Sequence, residues 1–335
     1  MLIEDADRFS LIIPTYEGTP FLRRCLDYLR SSGYRGHIVL CDNSTAEHLE
    51  LVKSCPNRYP ELWLDVHLYD ADARFLVKLV RTMERIHARY VMLCAQDDFI
   101  VADGVEQLVQ ALEADEGLSC ARGRVARFGL RRSETGDGGH PALHLMQHAM
   151  LAYDDPDPIG RVLEHIRQYA STLYSVHRKA QLIQSFRLTE AGTRNVIFFQ
   201  YLSSCITVAL GRVACLDTPF LLRQMHSNSW AARLMDDYEH WPLLVASPKY
   251  SEYYLQFRKA LVDFLVERLG HADDGSLAGK IDRAYVHMAK RSLCQTGLSG
   301  TPDDAFYARL QTAGTAEYKL LSSIAAFTLR YADTY

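Results

Sequence analysis

The chain has 335 residues, 48% hydrophobic and 23% charged, with a net charge of −4 and a pI near 6.4. These are ordinary values for a globular protein; the length allows roughly two or three packed units, and the mildly acidic balance argues against nucleic acid as the main partner. Eight scattered cysteines form no CxxC pair or zinc-type cluster, residues 1–10 are too acidic for a signal peptide, and no apolar run reaches the ~18 residues that span a bilayer. The expectation is a cytoplasmic protein, with a peripheral contact to the inner face of a membrane left open.

Taken in order, residues 9–13 read as a strand closed by Pro14, followed by the turn-rich TYEGTP. Leu22, Leu26 and Leu29 mark a helix over 21–31, ended by Gly33 and Gly36. A second strand, 37–41, runs into Asp42. A helix over 45–54 is expected to stop at Pro56, and a third strand, 62–69, exits at Asp70 and Asp72. Leu76, Leu79, Val80 and Met83 share one face of a helix over 75–87. Then comes the stretch around which the rest is organised, residues 90–99, YVMLCAQDDF. Its apolar first half reads as a buried strand, and it ends in the adjacent acids Asp97 and Asp98.

Strands alternating with helices imply a parallel sheet, and right-handed crossovers bring the strand exits to one edge. Pro14, Thr15, Tyr16, Asp42, Asp70, Asp97 and Asp98 should therefore converge where open α/β sheets bind ligands. Paired carboxylates there are costly unless a cation, a sugar hydroxyl or a helix start satisfies them. No GxGxxG follows the first strand and no GK[ST] loop occurs, which argues against a dinucleotide dehydrogenase and a P-loop NTPase.

A helix over 105–114 and an arginine-rich strand over 118–128, with Arg122, Arg124 and Arg127, come next. Residues 131–142 read as a surface loop. His140, His144 and His148, at intervals of four, would share a helix face and could bind a metal, although a solvated polar face is the better reading. The acidic, proline-containing segment 154–158 could act as a lid. Helix 161–169, strand 172–177, helix 178–186, a polar loop over 188–195, a strongly apolar helix over 196–210 and a strand over 212–217 follow. From residue 236 long helical patterns dominate, at 250–269, 278–295 and 302 to the end.

The segments LIIPTY (11–16), the Asp42 strand end, AQDD (95–98), LYSVHR (173–178) and RQMHSNSW (223–230), in this order, resemble family 2-type bacterial glycosyltransferases of the GT-A fold. The last of these segments also resemble a bacterial subgroup linked to surface polysaccharide, and the resemblance covers residues 9–233. The resemblance implies an α/β fold with a mostly parallel central sheet and an α-helical C-terminal region. Residues 1–235 would form the transferase domain, with a nucleotide half over 1–128 and an acceptor half over 129–235; residues 236–335 would be a helical appendage, a candidate for homo-oligomer contact.

In the family's terms, Pro14, Thr15 and Tyr16 would cradle the nucleotide and Asp42 would meet the base. Lys78 would stand near the nucleotide, and Asp97, beside Gln96, would contact the ribose. Asp98 and His226 would hold Mn2+ or Mg2+ against the diphosphate of a nucleotide sugar such as a UDP-sugar; hard cations with oxygen ligands suit that task, and manganese tolerates histidine. The sugar would pass to a glycan, lipid-linked or protein-linked acceptor. The chain departs from the family where the general base is expected: Gln200 stands there, and glutamine cannot take a proton. Glu190 is the nearest substitute. A sugar nucleotidyltransferase and a non-catalytic relative are the competing readings.

Overall fold

The computed structural model describes residues 2–131, 142–146, 151–226, 248–272, 275–294 and 304–331. Its first half alternates as expected: β1 (Phe9–Thr15), α1 (Thr19–Ser31), β2 (His37–Asp42), α2 (Ala46–Arg58), β3 (Trp63–Leu68), α3 (Phe75–Arg85) and β4 (Tyr90–Leu93). A short β5 (Phe99–Ile100), α4 (Ala102–Ala114), the long β6 (Leu118–Arg131) and β7 (Ala142–Met146) follow. The later part holds α5 (Pro158–Arg167), β8 (Val176–Arg178), α6 (Lys179–Gly192), α7 (Val196–Leu210) and β9 (Arg212–Met225). The C-terminal helices are α8 (Pro248–Asp263), α9 (Leu277–Cys294), α10 (Asp304–Gln311) and α11 (Ala316–Thr328).

The strands form one sheet in the order β3-β2-β1-β4-β8-β6-β9-β5, with β7 beside β6. The pairs β3–β2, β2–β1 and β1–β4 are parallel. Beyond β4 the sheet is mixed: β8 is antiparallel to β4 and β6, β9 is parallel to β6, and β5 is antiparallel to β9. The fold is therefore α/β, with a parallel first half and a helical C-terminal region.

Period-two alternation builds a core on each side of the sheet. Leu11, Ile13, Ile38 and Leu40 face Leu22, Leu26, Val52 and Leu108 of α1, α2 and α4. Ile12, Val39 and Leu93 point the other way, onto Leu79 and Met83 of α3 and Phe186 of α6. Each such side chain stabilises by about 1.5–3 kcal/mol relative to exposure. Because the first strands are parallel, the carboxyl ends of β1, β2 and β4 lie together, and those ends carry the candidate site.

The C-terminal helices share cores with earlier elements. Phe257 and Leu261 of α8 and Ile281 and Tyr285 of α9 pack with Val162 of α5 and Leu202 of α7. Phe306 of α10 and Leu321 and Ile324 of α11 cover Phe99, Phe128 and Leu222 on β5, β6 and β9.

Several local readings change. Helix α2 runs on through Pro56 to Arg58. The polar stretch from Leu188 to Gly192 is the last part of α6, with Thr189 fully buried. The acids of 154–158 serve a helix start: the Asp157 carboxylate accepts from the Ile159 and Gly160 backbone N–H groups. His144 lies on β7, paired in register with Gly129, so helical spacing does not apply to it; His140 and His148 lie outside the described residues. No described helix is long and apolar enough to cross a membrane.

Candidate functional site

The site is built first at the ends of β1 and β2. Thr15 and Asp42 are partners in the parallel register, which places the Thr15 hydroxyl 2.5 Å from Asp42 Oδ2. Ser44 donates to the same carboxylate twice, from its N–H at 2.9 Å and its hydroxyl at 2.8 Å. Asp42 is 0% exposed, so this carboxylate is already satisfied by three donors and acts as the anchor of the loop ends. The Glu17 N–H donates to Ser44 Oγ at 2.8 Å, and Thr45 Oγ1 donates to Glu17 Oε1 at 2.8 Å. Glu17 has φ +45°, left-handed backbone that a non-glycine residue adopts at some cost; the straps from Ser44 and Thr45 hold it there. Pro14 is half-buried beside this loop, while the Tyr16 ring stands 55% exposed at its tip.

Lys78 comes from α3, whose apolar stripe carries it to the underside of the loop. Its ammonium donates to the Thr15 carbonyl at 3.0 Å and to Asn43 Oδ1 at 2.6 Å. Burial lowers its pKa, against the attraction of Asp42. Thr15, Asp42 and Lys78 thus form one cluster, joined to the acid turn by Gln96: an ideal Cβ on Gly18 would lie 1.7 Å from Gln96 Nε2, so the amide rests directly on that glycine.

The acid turn follows β4. Its two carboxylates point to different partners. Asp97 Oδ2 is 2.9 Å from His226 Nε2, and the His226 ring stacks on Phe21 of α1 with centroids 4.4 Å apart. Burial pushes Asp97 up, but the His226 hydrogen bond and charge, with Arg223, outweigh it and hold the group below the usual carboxylate range. Asp98, only 2% exposed, accepts from Arg223 Nε at 3.0 Å and from the Gln224 N–H at 3.2 Å. Burial pushes it up to about 6, with Arg223 opposing. The residue facing His226 is therefore Asp97, expected on the ribose, whereas Asp98, expected on the metal with His226, is turned into the sheet. The cause is local: successive residues of the turn diverge, and β9 delivers Arg223 to one and His226 to the other.

Glu190 lies in the last turn of α6 and forms an ion pair with Arg74, the residue that precedes α3. It is not brought to the Asp97–His226 pair by any described contact. Gln200 lies half-buried on α7.

Sequence reading missed Arg24. It is 0% exposed, donates to Gln224 Oε1 and, at 2.7 Å, to the Asp97 carbonyl, and lies 4.8 Å from the Phe99 ring centroid. The available signal was an arginine set among Leu22, Cys25 and Leu26 on the buried face of α1.

Among the described residues, no three His, Cys, Asp or Glu side chains gather to hold a metal unaided. Asp97 and His226 supply one oxygen and one nitrogen donor close together, a set that fits a divalent ion whose other ligands come from substrate phosphates and water.

No protein-family model and no curated protein matches this sequence. Solved structures are similar at low identity. The S. aureus TarS fragment 1–349 is similar at 14% identity, with 86% of this chain and 92% of that one covered and a TM-score of 0.45. A second S. aureus TarS structure is similar at 13% identity and TM-score 0.45, with 85% of this chain and 53% of that chain covered. The mannosyltransferase PcManGT from Pyrobaculum calidifontis, in complex with GDP-Man and Mn2+, is similar at 14% identity and TM-score 0.45, with 97% and 82% covered.

Proposed function

We propose that this protein is a metal-dependent glycosyltransferase that takes a sugar from a nucleoside-diphosphate donor and passes it to a glycan, lipid-linked or protein-linked acceptor. The observation that carries the reading is the meeting of Asp97, at the end of a central strand, with His226, delivered across the sheet by β9. The strapped loop after β1 meets the acid turn where Gln96 rests on Gly18. The exposed Tyr16 ring offers a flat apolar face to a nucleobase, and Lys78 holds the loop's shape from beneath. Asp97 and His226 would hold Mn2+ or Mg2+. That ion would neutralise charge developing on the diphosphate as the bond to the sugar breaks.

Thermal-shift titration with UDP-GlcNAc and GDP-mannose, each with and without Mn2+, tests this directly. Binding at a hundred times the dissociation constant adds about 2.7 kcal/mol of stability. A metal-dependent rise for one donor, absent in Asp97→Ala, is the expected result. No rise with either donor counts against the reading.

A second reading has its own support. Glu190 is engaged by Arg74, and Gln200 has no acid function, so neither position expected to supply a general base is free to do so. The protein would then bind a donor without transferring its sugar. Release of free sugar from the bound donor separates the two: turnover favours the enzyme, and tight binding without turnover favours the binder. Glu190→Gln reports on the remaining acid, since loss of turnover with binding retained would assign it the proton transfer.

A further inference from the structure

Strand β6 carries arginines whose surroundings differ. Arg124 donates to Asp217 Oδ1 at 2.9 Å, and Arg122 donates to the Ala170 carbonyl at 3.3 Å. Arg127 has no ion pair or hydrogen bond with any described residue, and its Nε is buried without a partner. Its partner in the parallel β6–β9 register is Arg223. Residues in register on neighbouring strands project to the same face, so two guanidiniums stand side by side.

Like charges so placed repel. Asp98 compensates one of them through its bond to Arg223, whose guanidinium also lies over the Tyr174 ring at 4.5 Å. Asp97 is engaged with His226. Among the described residues, Asp98 is the one acid bonded to either guanidinium, and it is bonded to Arg223. Burial first, and then the Arg223 charge, pull the Arg127 pKa down to about 10. A group in that position gains from an anion that touches both guanidiniums. Phosphate fits best, because it carries enough charge for two cations and its oxygens match the planar N–H fork of arginine.

We propose that Arg127 and Arg223 form a phosphate-binding pair beside Asp97 and His226. The pair stands on the in-register arginines and on Asp98, the one acid bonded to them among the described residues, not on the donor reading above. A phosphate of the nucleotide and a phosphate carried by a second substrate share this chemistry. In either case the protein acts on a phosphate-bearing molecule, and Arg127 helps to choose it.

The test is calorimetric titration of inorganic phosphate into the full chain, at low salt and with a chelator present, so that no divalent ion contributes. Saturable binding is expected for the wild type, weakened on the order of tenfold in Arg127→Met, the loss of one charge-assisted contact. Arg58→Met is the control: Arg58 lines an open surface cleft with Arg23 and Arg30, and its loss should leave binding unchanged. In phosphate-free buffer Arg127→Met should melt no lower than the wild type, because a repulsive neighbour is removed, and added phosphate should no longer raise its melting temperature. Should Arg127→Met fail to fold, Arg127→Lys keeps the charge without the fork and should bind severalfold more weakly.

Repeating the titration with UDP and Mn2+ already bound assigns the source. Abolished phosphate binding means that the pair holds the nucleotide's own phosphate, and retained binding means that it reads a second substrate; both support the pair. Wild-type affinity in Arg127→Met or Arg127→Lys, loss in Arg58→Met instead, or no saturable binding by the wild type overturns it. Failure of the donor reading shows separately, as absence of nucleotide-sugar binding with phosphate binding intact.

Discussion

Asp97 and Asp98 are adjacent in the chain and opposite in circumstance. Asp98 is sealed against Arg223, and its removal would leave a guanidinium desolvated and unpaired. Breaking such a buried pair destabilises by about 3–5 kcal/mol. Asp98→Asn should therefore lower the urea midpoint strongly, whatever it does to ligands. Asp97→Asn gives up one partly exposed hydrogen bond, worth about 1 kcal/mol, and should mainly abolish metal-dependent nucleotide binding. Paired denaturation and binding curves on the two variants check this contrast. The acid pair itself was legible from the sequence, because a buried apolar run ended in two carboxylates. Which acid faces the cleft was not legible, since that depends on where β9 brings Arg223 and His226, 125 and 129 residues away. Asp42 was likewise legible as a strand-end acid, but its saturation by Thr15 and Ser44 depends on the β1–β2 register.

Elements were readable where a single periodicity governed them. The stripe of α3 gave the element and its buried face, and the continuous apolar runs of β1 and β2 gave the strands. Readings failed where a local stop signal met tertiary packing. Pro56 lies in the last turn of α2, where it removes a single backbone donor, so the helix runs on. Residues 188–192 look polar, yet Thr189 is buried and extends α6. The two-residue β5 is too short for any pattern, and it exists because β9 pairs with it. The packing of α4 on β9 rests on Gly104: an ideal Cβ there would lie 2.0 Å from the Pro219 carbonyl oxygen. Gly104→Ala must push helix and strand apart, at about 1–3 kcal/mol. Because β9 carries Arg223 and leads into His226, the same variant should weaken nucleotide binding although no site residue is substituted; thermal melts and nucleotide titration together test this.

Across the whole molecule, acid sensitivity follows from buried histidines. His165 is 0% exposed and His177 is 1% exposed. Burial lowers their pKa values to about 3 and about 4, from 6.5. Both stay neutral in the fold, while the unfolded chain takes up protons below pH 6.5. Their contribution to stability is therefore complete above that value and falls as the pH drops towards 4. Asp98, raised to about 6, opposes them, because the fold protonates it before the unfolded chain does. His165→Phe removes one term, and its stability should depend on pH less steeply than that of the wild type between pH 6 and 4, by about 1.4 kcal/mol per pH unit. Denaturant unfolding at several pH values measures the slope.

The C-terminal helices enter at the same scale. Their helical character was legible, but their seating on Phe99, Phe128 and Leu222 was not, because those apolar positions belong to strands far earlier in the chain. Ending the chain at residue 303 should expose that patch, lower the melting temperature and raise binding of an apolar dye.

The central claim is that Asp97 and His226 together hold the cation that accompanies a nucleoside diphosphate. Anomalous diffraction at the manganese edge, from crystals grown with UDP and Mn2+, tests it most directly. The account predicts a single strong peak between the Asp97 carboxylate and His226 Nε2, with Asp98 still on Arg223. A peak bound by Asp98 without Asp97, or nucleotide bound with no metal at this pair, would contradict it.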